Sequence, residues 1–578
     1  MAIPTLLLGT YFLLLAHPIN LVTADLGRHI KNGEYFVNNF EVIKTNFYSY
    51  SHPDFFTTNH HWGAGVLFYV LWAVFGFAGP HILFIALSLL TLFVFYKIAR
   101  ARAGLGLAVL AGILVMPLLA ERTEVRPEVF SYLFSGLFFY FLLKYRSNKI
   151  NFKKLLLLLL PLQLVWVNVH IYFILGPAIV LAFFAESIIR KKFANGKKYT
   201  LSVIALFAVS LINPFGLKGV TAPFTIFQNF GYRLVENQSV WFLDRVLPQP
   251  NLLIFKILFI LLALSFIGVL VKNRKSWDPE AESSARASGQ DWAVFFLALG
   301  FSAMAWLMLR NFTIFGLFAL VIIAWNVNSV WGRFGQSPRD DGDNSVIARK
   351  SAQGGRRSNP RKTAAAAANA RPRSDRLNYT ALAIALLVFL LMVSGELARV
   401  YPYNPNFGFG VIRDNSASAE FFKANDIQGP IFNNYDIGGY LIYFLSPSPL
   451  AGEGARSDSR GADEGECCRV FVDNRPEAYP ADFFENVYIP MQEDDRIWQE
   501  QLLEYDFNVI YFSHRDFTPW GQKFLSARVR DDDWAAVFAD QWTLIFLRRN
   551  ERNRKLIEEF EIPRTNFGVA RAIDFHAY

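Results

Sequence analysis

Cysteine is almost missing from this chain: its 578 residues include two, adjacent at Cys467 and Cys468. Neighbouring cysteines bridge only with strain, so no disulfide framework is available, and a structural zinc site lacks its thiolates. Charge is scarce as well. Asp, Glu, Lys and Arg make up 18% of the chain, against about 25% in ordinary soluble domains. No GxGxxG, Walker P-loop, HExxH or GxSxG stands where a strand and helix would give it meaning, which removes support for soluble nucleotide chemistry and for serine or zinc hydrolysis.

What the chain has instead is apolar length. It is 53% hydrophobic, and windows such as "LLLLLLPLQLVWVNV" from Leu155 and "LLIFKILFILLALSFIGVLV" from Leu252 approach the roughly 20 residues that cross a bilayer. Hydropathy predicts spans over 3–22, 81–99, 104–120, 128–144, 155–170, 171–188, 200–216, 253–271, 292–309, 312–329 and 378–395. The first lacks a basic leader and a small-x-small cleavage site and reads as a retained helix rather than a signal peptide.

The net charge of +9 sits in short segments between these stretches. Residues 97–102, 144–154, 190–198, 272–275 and 333–376 fall on one side, which the positive-inside rule makes the cytoplasm. That pattern sets orientation and gives no sign of nucleic acid. The expected fold class is an α-helical polytopic membrane protein of about 11 transmembrane helices over residues 1–395, with a cytoplasmic amino terminus. Residues 23–80 form a first outer loop, in which "WGAGVLFYVLWAVFGF" at 62–77 is too short to span and reads as an interfacial helix. Residues 331–377 read as a disordered basic cytoplasmic linker.

Residues 396–578 change composition and predict an extracytoplasmic α/β domain. Helices are expected at "SAEFFKAND" and "DRIWQEQLLEYDF", and strands at "GPIFNNYDIGGYLIYFL", "CRVFVDNR", "NVIYFSH" and "WTLIFLRR". "RDDDW" at Arg530 reads as a solvated turn. The Gly-, Ser- and charge-rich stretch 446–466 reads as a flexible insertion.

Ionisable groups near membrane depth line water-filled cavities by default. The outer loops hold Asp25, Arg28, His29, His60 and His61, then Glu121, Arg122, Glu124 and Arg126. Asp25 and His29, four apart, share a helix face, which suits a proton-accepting or acceptor-orienting carboxylate beside an imidazole. The plainer alternative makes Asp25 a helix cap and leaves His29 at the headgroup boundary. Asp25, Glu121 and Glu124 have oxygen ligands for a divalent cation such as Mg or Mn, or they are neutralised by Arg122 and Arg126. Arg126, Lys218, Arg233 and Arg310 suit a phosphate or diphosphate, although Arg310 also reads as a helix-end arginine reaching the interface. Asn168 and His170 in "WVNVH", and Glu236 and Trp241 in the loop 217–252, are further substrate-facing positions, with an aromatic belt and plain surface as the alternatives. Asp436, Gly438, Gly439, Asp473, Arg475 and Glu477 make either a second polar site or turn chemistry with an internal salt bridge.

Together "DLGRHIKNGEYF", "NFYSYSHPDFFTTNHHWGAGVLFYVL", the "RPE" loop and "WVNVH" resemble bacterial members of the GT-C superfamily of membrane glycosyltransferases, relatives of protein O-mannosyltransferases, aminoarabinose transferases and oligosaccharyltransferases. "GPIFNNYDIGGYLIYFL", "VFVDNRPEAY" and "LLEYDFNVIYF" extend the resemblance over most of the chain. It implies that an acidic residue early in the first outer loop, here Asp25, serves the acceptor or a metal, and that a second acid falls on Glu121 or Glu124. Ala24 precedes Asp25 and Leu26 with Gly27 follows, so there is no DxD pair, which leaves metal use open.

The expected function is transfer of a sugar from a polyprenyl-phosphate donor to a lipid, glycan or protein acceptor at the extracytoplasmic face. Asp25, Glu121 and Glu124 are then catalytic, while Arg28, His29, His60, His61, Arg126, Asn168, His170, Glu236 and Arg310 bind substrate. Alternatives are a transporter or flippase of lipid-linked saccharide, which would show internal repeats that are not visible here, and a non-catalytic scaffold whose outer domain binds a glycan or partner.

Overall fold

The computed structural model describes residues 2–275, 291–331, 360–399, 403–446 and 469–568. The cysteines and nearly all of the expected insertion 446–466 lie outside the described residues, as does 332–359 of the expected linker.

Every apolar stretch expected to span falls on a helix. These are α1 (Ala2–Leu15), α4 (Ala78–Leu119), α5 (Glu128–Arg146), α6 (Phe152–Val169), α7 (Leu175–Ile189), α8 (Phe193–Ser210), α9 (Pro250–Lys275), α10 (Trp292–Leu307), α11 (Phe312–Trp331) and α12 (Pro360–Val393); α2 (Leu26–Asn39) and α3 (Trp62–Phe75) lie between α1 and α4. Among the described residues, six helical stretches are long and apolar enough to cross a membrane, and the chain is an integral membrane protein. Helix α4 accounts for two of the expected spans. Its 42 residues break at Gly104, where φ of 82° is open to glycine, beside the basic run that ends at Arg102.

Several boundaries differ from expectation, among them the span expected at 200–216, which is the helix Phe193–Ser210, and two differ for a reason visible in the sequence. The first helix stops at Leu15 rather than residue 22, because Pro18 lacks the amide a helix needs. The following residues leave the helix and pair with the far end of the chain, Ile19 N donating to Gly410 O at 2.8 Å and Ile412 N to Ile19 O at 2.9 Å. Residues 360–377, expected to be disordered, form the first half of α12. Their run Ala364–Ala368 is the best helix-forming composition available, and it outweighs the lack of an apolar face.

The bundle is organised around α11, whose residues Phe312–Trp325 are buried on all sides, so it reads as continuously apolar rather than amphipathic. The amphipathic α2 crosses α3 with the backbones in contact: a Cβ on Gly33 would stand 2.1 Å from Gly65 O, and one on Gly65 would stand 2.7 Å from His29 O. This crossing fixes the position of Asp25, at the start of α2.

The carboxy-terminal domain holds a four-stranded sheet in the order β1 (Ile431–Asn433), β2 (Val509–Ser513), β4 (Thr543–Arg548), β3 (Trp534–Ala539), with β1 parallel to β2 and the other pairs antiparallel. Helices α13 (Ala417–Ala424), α14 (Gly438–Leu445), α15 (Asp495–Tyr505) and α16 (Pro519–Arg530) flank it. Trp498 stacks on Phe507 with centroids 5.4 Å apart in its aromatic core. The predicted helices and the strands at "NVIYFSH" and "WTLIFLRR" are present. "GPIFNNYDIGGYLIYFL", however, is a three-residue strand followed by α14, since a short, fully buried apolar run has no period to separate strand from helix. "CRVFVDNR" contributes an isolated parallel bridge, Ser49 to Val470. "RDDDW" leads into β3, where Trp534 is buried.

The domain sits on one end of the bundle, where the loops 23–61, 120–127 and 217–249 also gather; Tyr50 Oη donates to Ile431 O at 2.8 Å, and Tyr232 stacks on Tyr435 at 4.3 Å. At the opposite end Arg146 binds Asp291 and Glu186 at 2.6 and 2.8 Å, and Arg102 binds Asp291 at 3.0 Å. Among the described residues, Arg102, Arg146, Arg190 and Lys192 thus share one end, and the acidic loops the other.

Candidate functional site

Asp25 occupies the cap position of α2, but its side chain makes no capping bond. Its Oδ1 accepts a hydrogen bond from Asn474 Nδ2 of the carboxy-terminal domain, and its Oδ2 stands 3.7 Å from Arg126 Nη1 and 3.9 Å from Arg28 Nη2. Arg28 Nε in turn donates to Asn474 Oδ1 at 3.1 Å. The aspartate therefore joins three parts of the chain instead of ending a helix.

The loop between α4 and α5 brings Arg122 and Arg126 against Glu236, at 2.7 and 3.4 Å. Arg122 also reaches Glu128 at 3.3 Å, and Arg126 reaches Glu124 at 2.9 Å. Burial alone would raise the Glu236 carboxyl, but Arg122, Arg310 and Arg126 overcome it and hold the group well below the usual carboxylate range. Glu121 goes the other way: burial raises it against Arg122 and a hydrogen bond from Asn251.

Arg310 lies in the tight turn Leu309–Asn311 between α10 and α11. Its Nη1 donates to Asn237 Oδ1 at 3.0 Å, yet the guanidinium is 3.9 Å from both Glu128 and Glu236, and its buried Nε has no hydrogen-bond partner among the described residues. A buried donor without an acceptor is costly unless a ligand satisfies it.

These groups enclose a cavity of about 370 Å³, bounded by Asp25, Glu121, Arg122, Arg126, Glu236 and Arg310 from the bundle and by Tyr435, Asp436 and Asn474 from the domain. Arg310 also borders a second, mostly apolar cavity of about 240 Å³ with Tyr172, Leu175, Met304 and Leu307. Leu175 and Met304 continue into an apolar cleft of about 290 Å³ between α7 and α10. A greasy groove along the bundle thus reaches the polar cavity at one arginine.

The structure separates other expected site residues from this cavity. His29, His60, His61 and His170 form a buried cluster, with ring centroids of 5.3 Å for His29 and His61 and 5.2 Å for His61 and His170. His170 Nδ1 bonds the Ser131 hydroxyl at 2.8 Å, and that hydroxyl accepts from Trp166 Nε1 at 2.7 Å. Asn168 is spent on packing, accepting from Trp62 Nε1 at 3.0 Å and donating to Leu164 O and Ile212 O. Lys218 lies over Phe56, Arg233 is exposed, and Trp241 stacks on Trp306 at 5.0 Å. Arg28 and Glu124 stand behind the cavity, as partners of the residues that line it.

In the domain, Arg475 and Asp473 make the internal salt bridge, and Gly438 packs so closely on the 472–473 backbone that a Cβ would meet Asp473 Cα at 2.4 Å. Asp436 is different: it belongs to the same cavity as Asp25 rather than to a second site. Asn474, which no motif marked, is the residue that single-sequence reasoning missed; its neighbours Asp473 and Arg475 were the nearest signal.

No protein-family model matches the sequence, and no curated protein matches it. Solved structures do match in three dimensions. The Archaeoglobus fulgidus oligosaccharyltransferase tethered with an acceptor peptide containing the NVT sequon superposes with a TM-score of 0.51 at 14% identity, over 95% of this chain and 74% of that one. The same enzyme in complex with Zn and sulfate gives 0.50 at 13% identity, over 95% and 73%. The chain shares the fold of this oligosaccharyltransferase. ArnT from Cupriavidus metallidurans in the apo state is also similar, with a TM-score of 0.47 at 13% identity over 97% of both chains.

The described residues do not assemble a metal centre from the expected carboxylates. Among the described residues no three His, Cys, Asp or Glu side chains are placed to hold an ion. Asp25 and Glu124 face Arg126, and Glu121 faces Asn251. The donor set expected for Mg or Mn is thus taken up by guanidinium and amide partners, and it does not fit a divalent cation.

Proposed function

We propose that this protein is a membrane glycosyltransferase that moves a sugar from a polyprenyl-phosphate donor to an acceptor hydroxyl or amide at the extracytoplasmic face. The observation that carries this reading is the position of Arg310, where the apolar groove meets the polar cavity, with its Nε free. A polyprenyl-phosphate sugar has the matching shape: an apolar tail, an anionic head and a polar sugar beyond it. The orientation rests on the basic end of the bundle, which holds Arg102, Arg146, Arg190 and Lys192 away from the cavity.

The chemistry follows from the residues in place. Arg310, with Arg126 beside it, holds the lipid phosphate through charge-assisted hydrogen bonds that strengthen as negative charge develops on the leaving oxygen. Asp25, fixed by Asn474, Arg28 and Arg126, orients the acceptor on the opposite side of the sugar, so that the anomeric centre inverts. Glu236 keeps Arg122 and Arg126 in position.

The test uses the purified full chain in nanodiscs with a panel of polyprenyl-phosphate sugars, reading release of lipid phosphate with and without divalent cation. Release that Asp25→Asn abolishes is the expected result. Folded protein that releases lipid phosphate from no donor overturns the reading in favour of a transporter or a scaffold.

A further inference from the structure

Four carboxylates border the cavity, and three have partners. Asp25 is held by Asn474, Arg28 and Arg126, Glu121 by Asn251, and Glu236 by Arg122 and Arg126. Asp436 makes no hydrogen bond or ion pair among the described residues, although it lies in a rigid segment between β1 and α14. Asn433 Oδ1 accepts from Phe471 N at 2.9 Å, Asn434 Nδ2 donates to Asp516 Oδ2 at 3.0 Å, and Tyr435 N donates to Tyr488 Oη at 2.7 Å. The three residues before Asp436 are bolted down, and its own carboxylate is presented to the cavity unbound.

We propose that Asp436 is the proton acceptor of the transfer, so that the carboxy-terminal domain completes the active site. This rests on the glycosyltransferase reading above. The acceptor atom, a hydroxyl oxygen or an amide nitrogen, forms its bond to the anomeric carbon while its proton passes to an Asp436 oxygen. The bond from that carbon to the phosphate oxygen breaks with its electron pair, leaving polyprenyl phosphate on Arg310 and Arg126. Asp25 is less suited to this step, because one of its oxygens accepts from Asn474 and the other is paired with the charges of Arg126 and Arg28.

The surroundings of Asp436 favour the role. Burial first, then the charges of Asp516, Asp25 and Glu124, push its carboxyl up to about 7 against the opposing pull of Arg126. The phenols of Tyr232, Tyr435 and Tyr488 also face it. A base is most effective when its affinity for the proton lies near the working pH.

The experiment compares wild type, Asp436→Asn and Asp436→Glu in the lipid-phosphate release assay across the pH range around neutrality, with binding of polyprenyl phosphate measured alongside. Wild-type rate should rise with pH through an ionisation near neutrality. Asp436→Asn should lose about 100-fold or more in rate and lose that ionisation, with lipid-phosphate binding kept; Asp436→Glu should retain a titrating rate with a displaced midpoint. An active wild type whose Asn variant keeps its rate and pH profile overturns Asp436 as the base and leaves the transferase reading standing. Should the Asn variant lose binding through misfolding, an unmoved midpoint in the Glu variant overturns the assignment. A wild type that releases lipid phosphate from no donor overturns both readings.

Discussion

Asn474 of the carboxy-terminal domain donates a hydrogen bond to Asp25 Oδ1 at the start of α2, across 449 positions of sequence. The same amide accepts from Arg28 Nε through its oxygen, so one neutral side chain aligns an acid and a base of the first loop. A domain that looks appended in the sequence is therefore tied into the cavity wall.

Replacing Asn474 by alanine leaves Asp25 and Arg28 each short of a buried partner, at a cost of about 1–3 kcal/mol. Thermal unfolding in detergent should fall accordingly, and lipid-phosphate release should fall further than stability explains. Asn474→Asp, which sets a second carboxylate against Asp25, should be worse than alanine; an aspartate variant as stable as wild type would refute the contact.

Arg310→Lys keeps the charge but loses the fork and the free Nε donor. Loss of a charge-assisted hydrogen bond of about 1.5–3 kcal/mol corresponds to roughly 10–100-fold weaker binding of polyprenyl phosphate. Titration of the purified protein with that lipid checks the figure, and equal affinity for the lysine variant would remove Arg310 from the phosphate site.

Glu236→Gln leaves Arg122 and Arg126 with less negative charge in a partly buried site, and stability should drop by on the order of 3 kcal/mol. The pH dependence has a definite sign. Because the folded carboxyl is held below its ordinary value of 4.5, its contribution is present above that pH and is lost as pH falls through the lower folded value. Acid unfolding curves of wild type and Glu236→Gln should converge below pH 4.5.

The histidine cluster predicts a second acid effect, at higher pH. Burial lowers His29, His60 and His61, with His60 brought from 6.5 to about 4, so the unfolded chain binds more protons in that interval. Stability should be full above pH 6.5 and fall as pH drops toward about 4, and His60→Gln should flatten part of that slope.

Gly65→Ala places a Cβ 2.7 Å from the backbone oxygen of His29. The α2 and α3 crossing must then open, with a stability loss of about 1–3 kcal/mol and a displaced Asp25. Lipid-phosphate release that survives undiminished would show that the crossing does not position the site.

Several features were legible from local patterns. Each apolar stretch became a helix, and Arg102, Arg146, Arg190 and Lys192 share one end, because hydropathy and charge are properties a short window carries by itself. Where two structures satisfy the same window, the pattern fails: "YDIGGYLIYFL" reads equally as strand or helix until its packing against α2 is known. Pro18 ended the first helix early by removing one donor, a signal visible in the sequence that hydropathy averages away.

The sequence by itself determined a bundle of apolar helices with its cations gathered at one end, and it marked Asp25, Arg126, Glu236 and Arg310 as polar groups near membrane depth. Only the tertiary structure decided which of them meet. It drew in Asp436 and Asn474 from the far end of the chain, and it sent His29, His60, His61, His170 and Asn168 into packing roles. The physical reason is that burial preference is set residue by residue, whereas a cavity is set by how elements cross. Here that depends on two glycines in backbone contact and on one amide that spans two domains.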